Sequence, residues 1–191
     1  GTLTLPAATD TLIGKATTDT LTNKTFNSTG TGNVLQVSAV TVSAGQYPGE
    51  PTTGSATAGN VGEYIESVIA SGSATSLTTA TAKTITSISL TAGDWDVDGI
   101  VQFATAAGTS VTITLSSLSL TTNTIDATVG REVIHQFPAT VPGLSSLAFS
   151  VPVPPLRFSV SGTTSVFLVG FATFTVSTMT AFGIIRARRV R

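Results

Sequence analysis

From Glu63 to the C-terminus, apolar and hydroxyl-bearing positions alternate along much of the chain. A period of two sends successive side chains to opposite faces of a strand, so the pattern predicts half-buried β-structure. Glu63–Ser71 (EYIESVIAS) is the first candidate strand. In Thr84–Leu90 (TITSISL) the second half, Ile88 and Leu90, alternates, while Ile85 falls one position out of phase, as a bulge or a strand start would make it. Trp95–Phe103 carries the alternation through Trp95, Val97, Val101 and Phe103; Val111, Ile113 and Leu115 continue it, with Leu118 and Leu120 after. Val133–Phe137, Leu147–Val151 and Arg157–Val160 are shorter, and Ser165–Ser177 and Thr180–Val190 close the chain. These make about eight or nine strands joined by Gly, Pro, Ser and Asn turns, with no amphipathic helix. The pattern predicts an all-β domain, an antiparallel two-sheet sandwich of jelly-roll type, over residues 63–191. Phe149, Phe158, Phe167, Phe171, Phe174 and Phe182 are its candidate large core side chains. Pro152, Pro154 and Pro155 in VPVPPLRF exclude a central strand over that whole stretch, so it is expected in extended form along an edge or a threefold contact.

Upstream the pattern changes. Residues 1–33 are rich in Thr, Asn, Gly and Asp, with isolated apolar residues at Leu3, Leu5, Leu12, Ile13, Leu21 and Phe26. Thr9–Lys15 (TDTLIGK) and Thr18–Lys24 (TDTLTNK) match at five of seven positions when set nine residues apart. A segment with so few apolar residues cannot bury itself. It reads as an extended attachment or stalk segment that parallel copies would complete, or else as a low-complexity linker. Residues 34–62 hold a short strand-like run, Val34–Val42 (VLQVSAVTV), and then Gly45–Gly62, with five glycines and two prolines in 18 residues, which reads as a linker.

Composition narrows the function classes. Charged residues make up only 10% of the chain, net charge is −1 and there is no cysteine. A disulfide framework and a thiolate metal site are therefore excluded, and no global field attracts nucleic acid or an anionic membrane. Mean hydropathy is +0.38, yet the longest apolar stretch, Val166–Val176, is 11 residues, too short to cross a bilayer as a helix. The first residues lack the basic-then-apolar pattern of a secretion signal, and Gly1 leaves the native start open. Nucleic-acid partners and membrane insertion are not expected.

Candidate chemistry is sparse. Asp94–Gly99 (DWDVDG) matches the start of a calcium loop, but position twelve is Thr105 where a bidentate Glu belongs. Alternation explains the same residues more simply, with Trp95 and Val97 inward and Asp94, Asp96 and Asp98 in solvent. Arg186, Arg188, Arg189 and Arg191 hold four of the nine basic residues. They read as a phosphate or sulfate patch, or as strand-end charges pairing with Glu63, Glu66 or Glu132, with Arg189 breaking the alternation. His135 is the single histidine, so a one-chain histidine cluster is excluded, and no G-x-S-x-G elbow accompanies it. Glu63, Glu66, Asp126 and Glu132 are the carboxylates from which a sugar-cleaving pair would have to come. Phosphate-binding glycine loops and interleaved aromatic and basic residues are absent.

The TDTL repeat running into Thr22–Phe26 (TNKTF) resembles stretches of tail-fibre and related virion proteins of tailed bacteriophages. Ile85–Val97 (ITSISLTAGDWDV) and Phe174–Arg191 (FTVSTMTAFGIIRARRVR) are similar to the terminal domain of such proteins. The resemblance implies a non-enzymatic homotrimeric appendage with a β-rich knob, made in the host cytoplasm and carried on the outside of the virion. It implies no catalytic residue, no cofactor and no metal. The partners it implies are sister copies, other virion proteins through residues 1–33, and a host surface glycan or protein. Ala104–Ser110 and Thr121–Val129 are the candidate presenting loops. A tail fibre and a capsid-decorating or head-fibre protein share this pattern. A secreted carbohydrate-binding monomer would need an aromatic platform, for which one Trp and two Tyr are scant.

Overall fold

The computed structural model describes residues 54–138 and 148–191. The stalk segment 1–33, the run Val34–Val42, the first half of Gly45–Gly62 and Leu147 lie outside the described residues. What is described belongs to the compact unit Gly49–Arg191.

Among the described residues the structure is β throughout, apart from one short 3₁₀ turn at Ser71–Ser73. The strands are β1 (Tyr64–Ile69), β2 (Thr75–Ser76), β3 (Lys83–Leu90), β4 (Gly93–Thr105), β5 (Ser110–Ser119), β6 (Glu132–Gln136), β7 (Ala148–Val160), β8 (Thr164–Thr175) and β9 (Met179–Arg189). One sheet runs β1-β9-β4-β7, with the short β2 also on β9; the other runs β3-β8-β5-β6. The pairing is antiparallel and nested: β1 with β9, β3 with β8, β4 with β7, β5 with β6. This is a long double ladder rolled up so that its layers face each other, which is the jelly-roll arrangement.

Between the sheets lie Trp95, Val97, Val101 and Phe103 of β4, Val151, Val153 and Phe158 of β7, and Val166, Leu168, Ala172 and Phe174 of β8. The inward row of β9 is Ala181, Gly183, Ile185 and Ala187, three of them small. A Cβ on Gly170 would already press on Ile85 Cδ1 at 3.2 Å and Val101 Cγ1 at 3.4 Å.

Strand parity corrects the phenylalanine expectation. Phe158 and Phe174 are in the core and Phe149 packs against it. Phe167, Phe171 and Phe182 take the intervening, outward positions of β8 and β9 and are half-buried. Face follows parity, not side-chain size.

Bulges account for the phase breaks. The register of β3 shifts between Thr84 and Thr86, so Ile85 turns inward against β8. A shift in β5 between Val111 and Ile113 splits the expected single row: Val111 and Leu118 join the core, while Ile113 and Leu115 face outward and Leu120 is 45% exposed. The intervening Thr114 and Ser116 turn inward, and their hydroxyls are buried with no protein partner. The proline stretch is not two short strands but one, β7. It is an edge strand bonded only to β4, and Pro154 and Pro155 stand together opposite Asp98 as a bulge. There the missing N–H groups cost no ladder bond.

Candidate functional site

The outward side chains of the β1-β9-β4-β7 sheet form rows, because residues paired in register share a face. At one end the row is Tyr64, Arg188, Asp96, Arg157; the next is Glu66, Arg186, Asp98. Then come Val68, Ile184, Ile100 and Pro152, and finally Phe182, Gln102 and Ser150. The face thus grades from charged to apolar along the strands. The charged rows border a groove of about 370 Å³, with Pro155 beside Tyr64, Asp96, Asp98, Arg186 and Arg188. The apolar rows border another of about 340 Å³.

Most of these charges are already partnered. Arg186 Nε donates to Asp98 Oδ1 at 2.7 Å, and the Tyr64 hydroxyl donates to Glu66 at 2.7 Å. Arg157 donates through Nε and Nη2 to the two oxygens of Asp94, at 3.2 and 2.8 Å, and Arg191 donates to the same carboxylate. Arg157 first, then Ser159 and Arg191, hold the Asp94 carboxyl far below the usual carboxylate range. Asp94 is buried rather than in solvent as the alternation predicts, because two arginines close over it. Two charged groups make no hydrogen bond or ion pair among the described residues: Asp96 and Arg188 are cross-strand partners, and Asp96 acts only electrostatically on Arg157, its neighbour on the other side. In an extended strand, alternate residues lie about 7 Å apart, so Asp94, Asp96 and Asp98 do not converge on one cation. Among the described residues no cluster of metal-ligating groups occurs.

Arg189 lies on the other face. It continues the inward parity of β9 instead of breaking it, and only 4% of its surface is exposed. Its guanidinium sits 4.3 Å from the Trp95 ring centroid and donates to Glu63 Oε2 at 2.9 Å, to the Ala92 carbonyl at 2.7 Å and to the Thr91 hydroxyl. Glu63 also accepts from the Gly59 N–H at 2.8 Å, and that bond, ahead of Arg189, lowers its carboxyl against the opposing effect of burial. The arginine–carboxylate pairing expected of the C-terminal strand is therefore present, but Asp94 and Asp98 are partners together with Glu63, and no arginine bonds Glu66 or Glu132 among the described residues.

The outer face of the β3-β8-β5-β6 sheet is different. Ile113, Leu115, Ile134, Phe167, Val169 and Phe171 stand at its outward positions. The expected presenting loop Thr121–Val129 returns across this face as a strap. Asn123 Oδ1 accepts from the Thr84 N–H and its own N–H donates to the Thr84 hydroxyl, both at 2.8 Å; the Asp126 N–H donates to Ser117 Oγ at 3.1 Å. Thr84 and Ser117 flank Val169 in register, so the strap passes over that valine. Arg131 and the Thr128 N–H fix Asp126 in turn. The other expected loop, Ala104–Ser110, is a shorter turn, its first two residues and its last belonging to β4 and β5. Only Ala106–Thr109 turns, pinned by the Thr109 hydroxyl and the Ala106 N–H to the Thr178 carbonyl.

His135 is exposed on β6, the edge strand, with Glu132 at that strand's start; neither bonds a side chain among the described residues. Glu63, Glu66 and Asp126 each have the partner given above, and no two of the four carboxylates face one another. Tyr64 and Arg157 were not singled out from the sequence. Only the strand register brings them beside Arg188 and Asp96.

Among the described residues no helix is long and apolar enough to cross a membrane. No protein-family model and no curated protein matches the chain. Among solved structures it is weakly similar to the VP2 subviral particle of infectious bursal disease virus, with a TM-score of 0.39 and 12% identity. That match covers 67% of this chain and 32% of the other, so the chain spans about a third of its neighbour's length.

Proposed function

We propose that this chain is a non-enzymatic virion structural protein, a homotrimeric fibre whose β knob attaches the particle to a bacterial cell surface. One observation carries the reading: the apolar outer face of the β3-β8-β5-β6 sheet. An antiparallel sheet that faces water normally turns polar residues outward. Here two phenylalanines and four aliphatic residues stand among the serines and threonines; Val169 and Leu115 are already buried within the chain, while Ile113, Phe167 and Phe171 are half-buried and Ile134 remains 46% exposed. The occupant that fits is a sister copy. The chain is only 10% charged, and this face reaches the edge strand β6. The phage-fibre resemblance of the N-terminal repeat supports the same assembly, with residues 1–33 holding other virion proteins. The opposite sheet face stays available to a ligand, and three weak sites reach high avidity on a repetitive surface.

Light scattering of the full chain tests this. The expected mass is three chains, falling to one in Phe171→Asp while Val68→Asp, on the other sheet, leaves it unchanged. A wild-type mass of one chain that persists on concentration sinks the proposal. Purified protein that blocks adsorption of the particle to cells supports attachment. Imaging that places it on capsid threefold axes, with no such block, replaces attachment by the head-decorating alternative.

A further inference from the structure

We propose that the charged groove on the β1-β9-β4-β7 sheet is a binding site for a neutral glycan, read by Asp96 and Arg188. This rests on the attachment reading and names its ligand class and its site.

The other ionised groups that line the groove, Arg186 and Asp98, hold each other, and the charged groups beside it are held too. Arg186 is bonded to Asp98, Arg157 to Asp94, and Glu66 to the Tyr64 hydroxyl. These bonds fix the walls of the groove. Asp96 and Arg188 line it side by side in register, without a hydrogen bond and exposed. A carboxylate only accepts hydrogen bonds and a guanidinium only donates them. A ligand that satisfies both at once must offer donors and acceptors within a few ångström of each other. Vicinal hydroxyls do this, each donating to Asp96 or accepting from Arg188.

Charge excludes the anionic alternatives. The carboxylates of and beside the two rows, Glu66, Asp94, Asp96 and Asp98, are matched by Arg157, Arg186, Arg188 and Arg191. A phosphate, sulfate or uronate reaching Arg188 would lie against Asp96 and its neighbours, and like-charge contacts of that kind are costly. Hydroxyls carry no such cost. Tyr64 and Pro155 give the groove flat apolar walls for the C–H faces of a sugar ring. Toward the other end of the face, the Val68, Ile184 and Ile100 row offers further apolar surface along which a chain of sugars could continue.

The test is a printed array of neutral and acidic bacterial-surface oligosaccharides, probed with the full chain in its native assembly. The wild type is compared with Asp96→Asn, Arg188→Gln and, as a control on the other sheet, Lys83→Gln. Thermal melting checks that each variant folds. The expected result is retention on neutral oligosaccharides, at least tenfold weaker for Asp96→Asn and Arg188→Gln and unchanged for Lys83→Gln. Neutral binding that survives both groove substitutions overturns the site while leaving attachment intact. Binding confined to acidic sugars, or none to any sugar, overturns the ligand class. In that case, adsorption blocking by the same protein decides separately whether attachment stands.

Discussion

The two outer faces of the sandwich are built by the same alternation and serve opposite ends. On the β1-β9-β4-β7 sheet, register lines up arginines and carboxylates across four strands, and the pairs neutralise each other and leave one open couple. On the β3-β8-β5-β6 sheet, register lines up aliphatic and aromatic residues, and a strap bonded to Thr84 and Ser117 crosses them. A sheet face is therefore not polar or apolar as a property of its strands taken singly. It becomes one or the other when cross-strand neighbours are set, and the bulges at Ile85 and Thr112 help to set them.

The sharpest way to break the contrast is to disturb the β4–β9 register. A Cβ on Gly183 would run into the Ile100 carbonyl oxygen. Gly183→Ala is expected to cost about 4 kcal/mol or more in urea unfolding, the range of severe backbone or core disruption. The charged rows should be lost with it.

Next in size is the lock behind the same sheet. Arg189→Met removes the partner of buried Glu63 and leaves a carboxylate without its cation. The expected loss is about 3–5 kcal/mol. Arg188→Gln, one residue away on the exposed face, should change stability by less than about 0.5 kcal/mol. Equal effects at the two positions would show that their difference in burial is immaterial.

On the other face, Asn123→Ala unties the strap from Thr84. It removes a side-chain acceptor and places a residue with a Cβ but no local hydrogen bond at a φ of 51°. A loss of about 1–2 kcal/mol follows from one bond and one left-handed residue. Hydrogen exchange should quicken at the Thr84 amide but not in β4.

The smallest effect within the neutral range is that of pH. Asp94, Glu63 and Asp126 all titrate lower in the folded chain than in the unfolded one. Their stabilisation is therefore fully present above the unfolded values of 3.8 and 4.5 and is lost as pH falls through the folded ones. Melting temperature should be nearly flat between about pH 8 and pH 5 from these groups and should fall once pH drops below about 4. A loss beginning near pH 6 would mean that other groups control it.

The sequence by itself determined the fold class, most of the strands and the identity of the core row on β4, since Trp95, Val97, Val101 and Phe103 announce a half-buried strand through local alternation alone. It also showed that the chain is poor in charge and that its arginines gather at the end. Only the tertiary structure decided which face each residue serves: that Phe167, Phe171 and Phe182 look outward, that Arg189 is buried while Arg188 is open, and that Thr121–Val129 is a strap. The physical reason is that period two fixes relative orientation along one strand but not its absolute sign. Bulges reverse that sign within a strand, and neighbours such as Asp96 and Arg188, 92 positions apart in the chain, meet only through pairing.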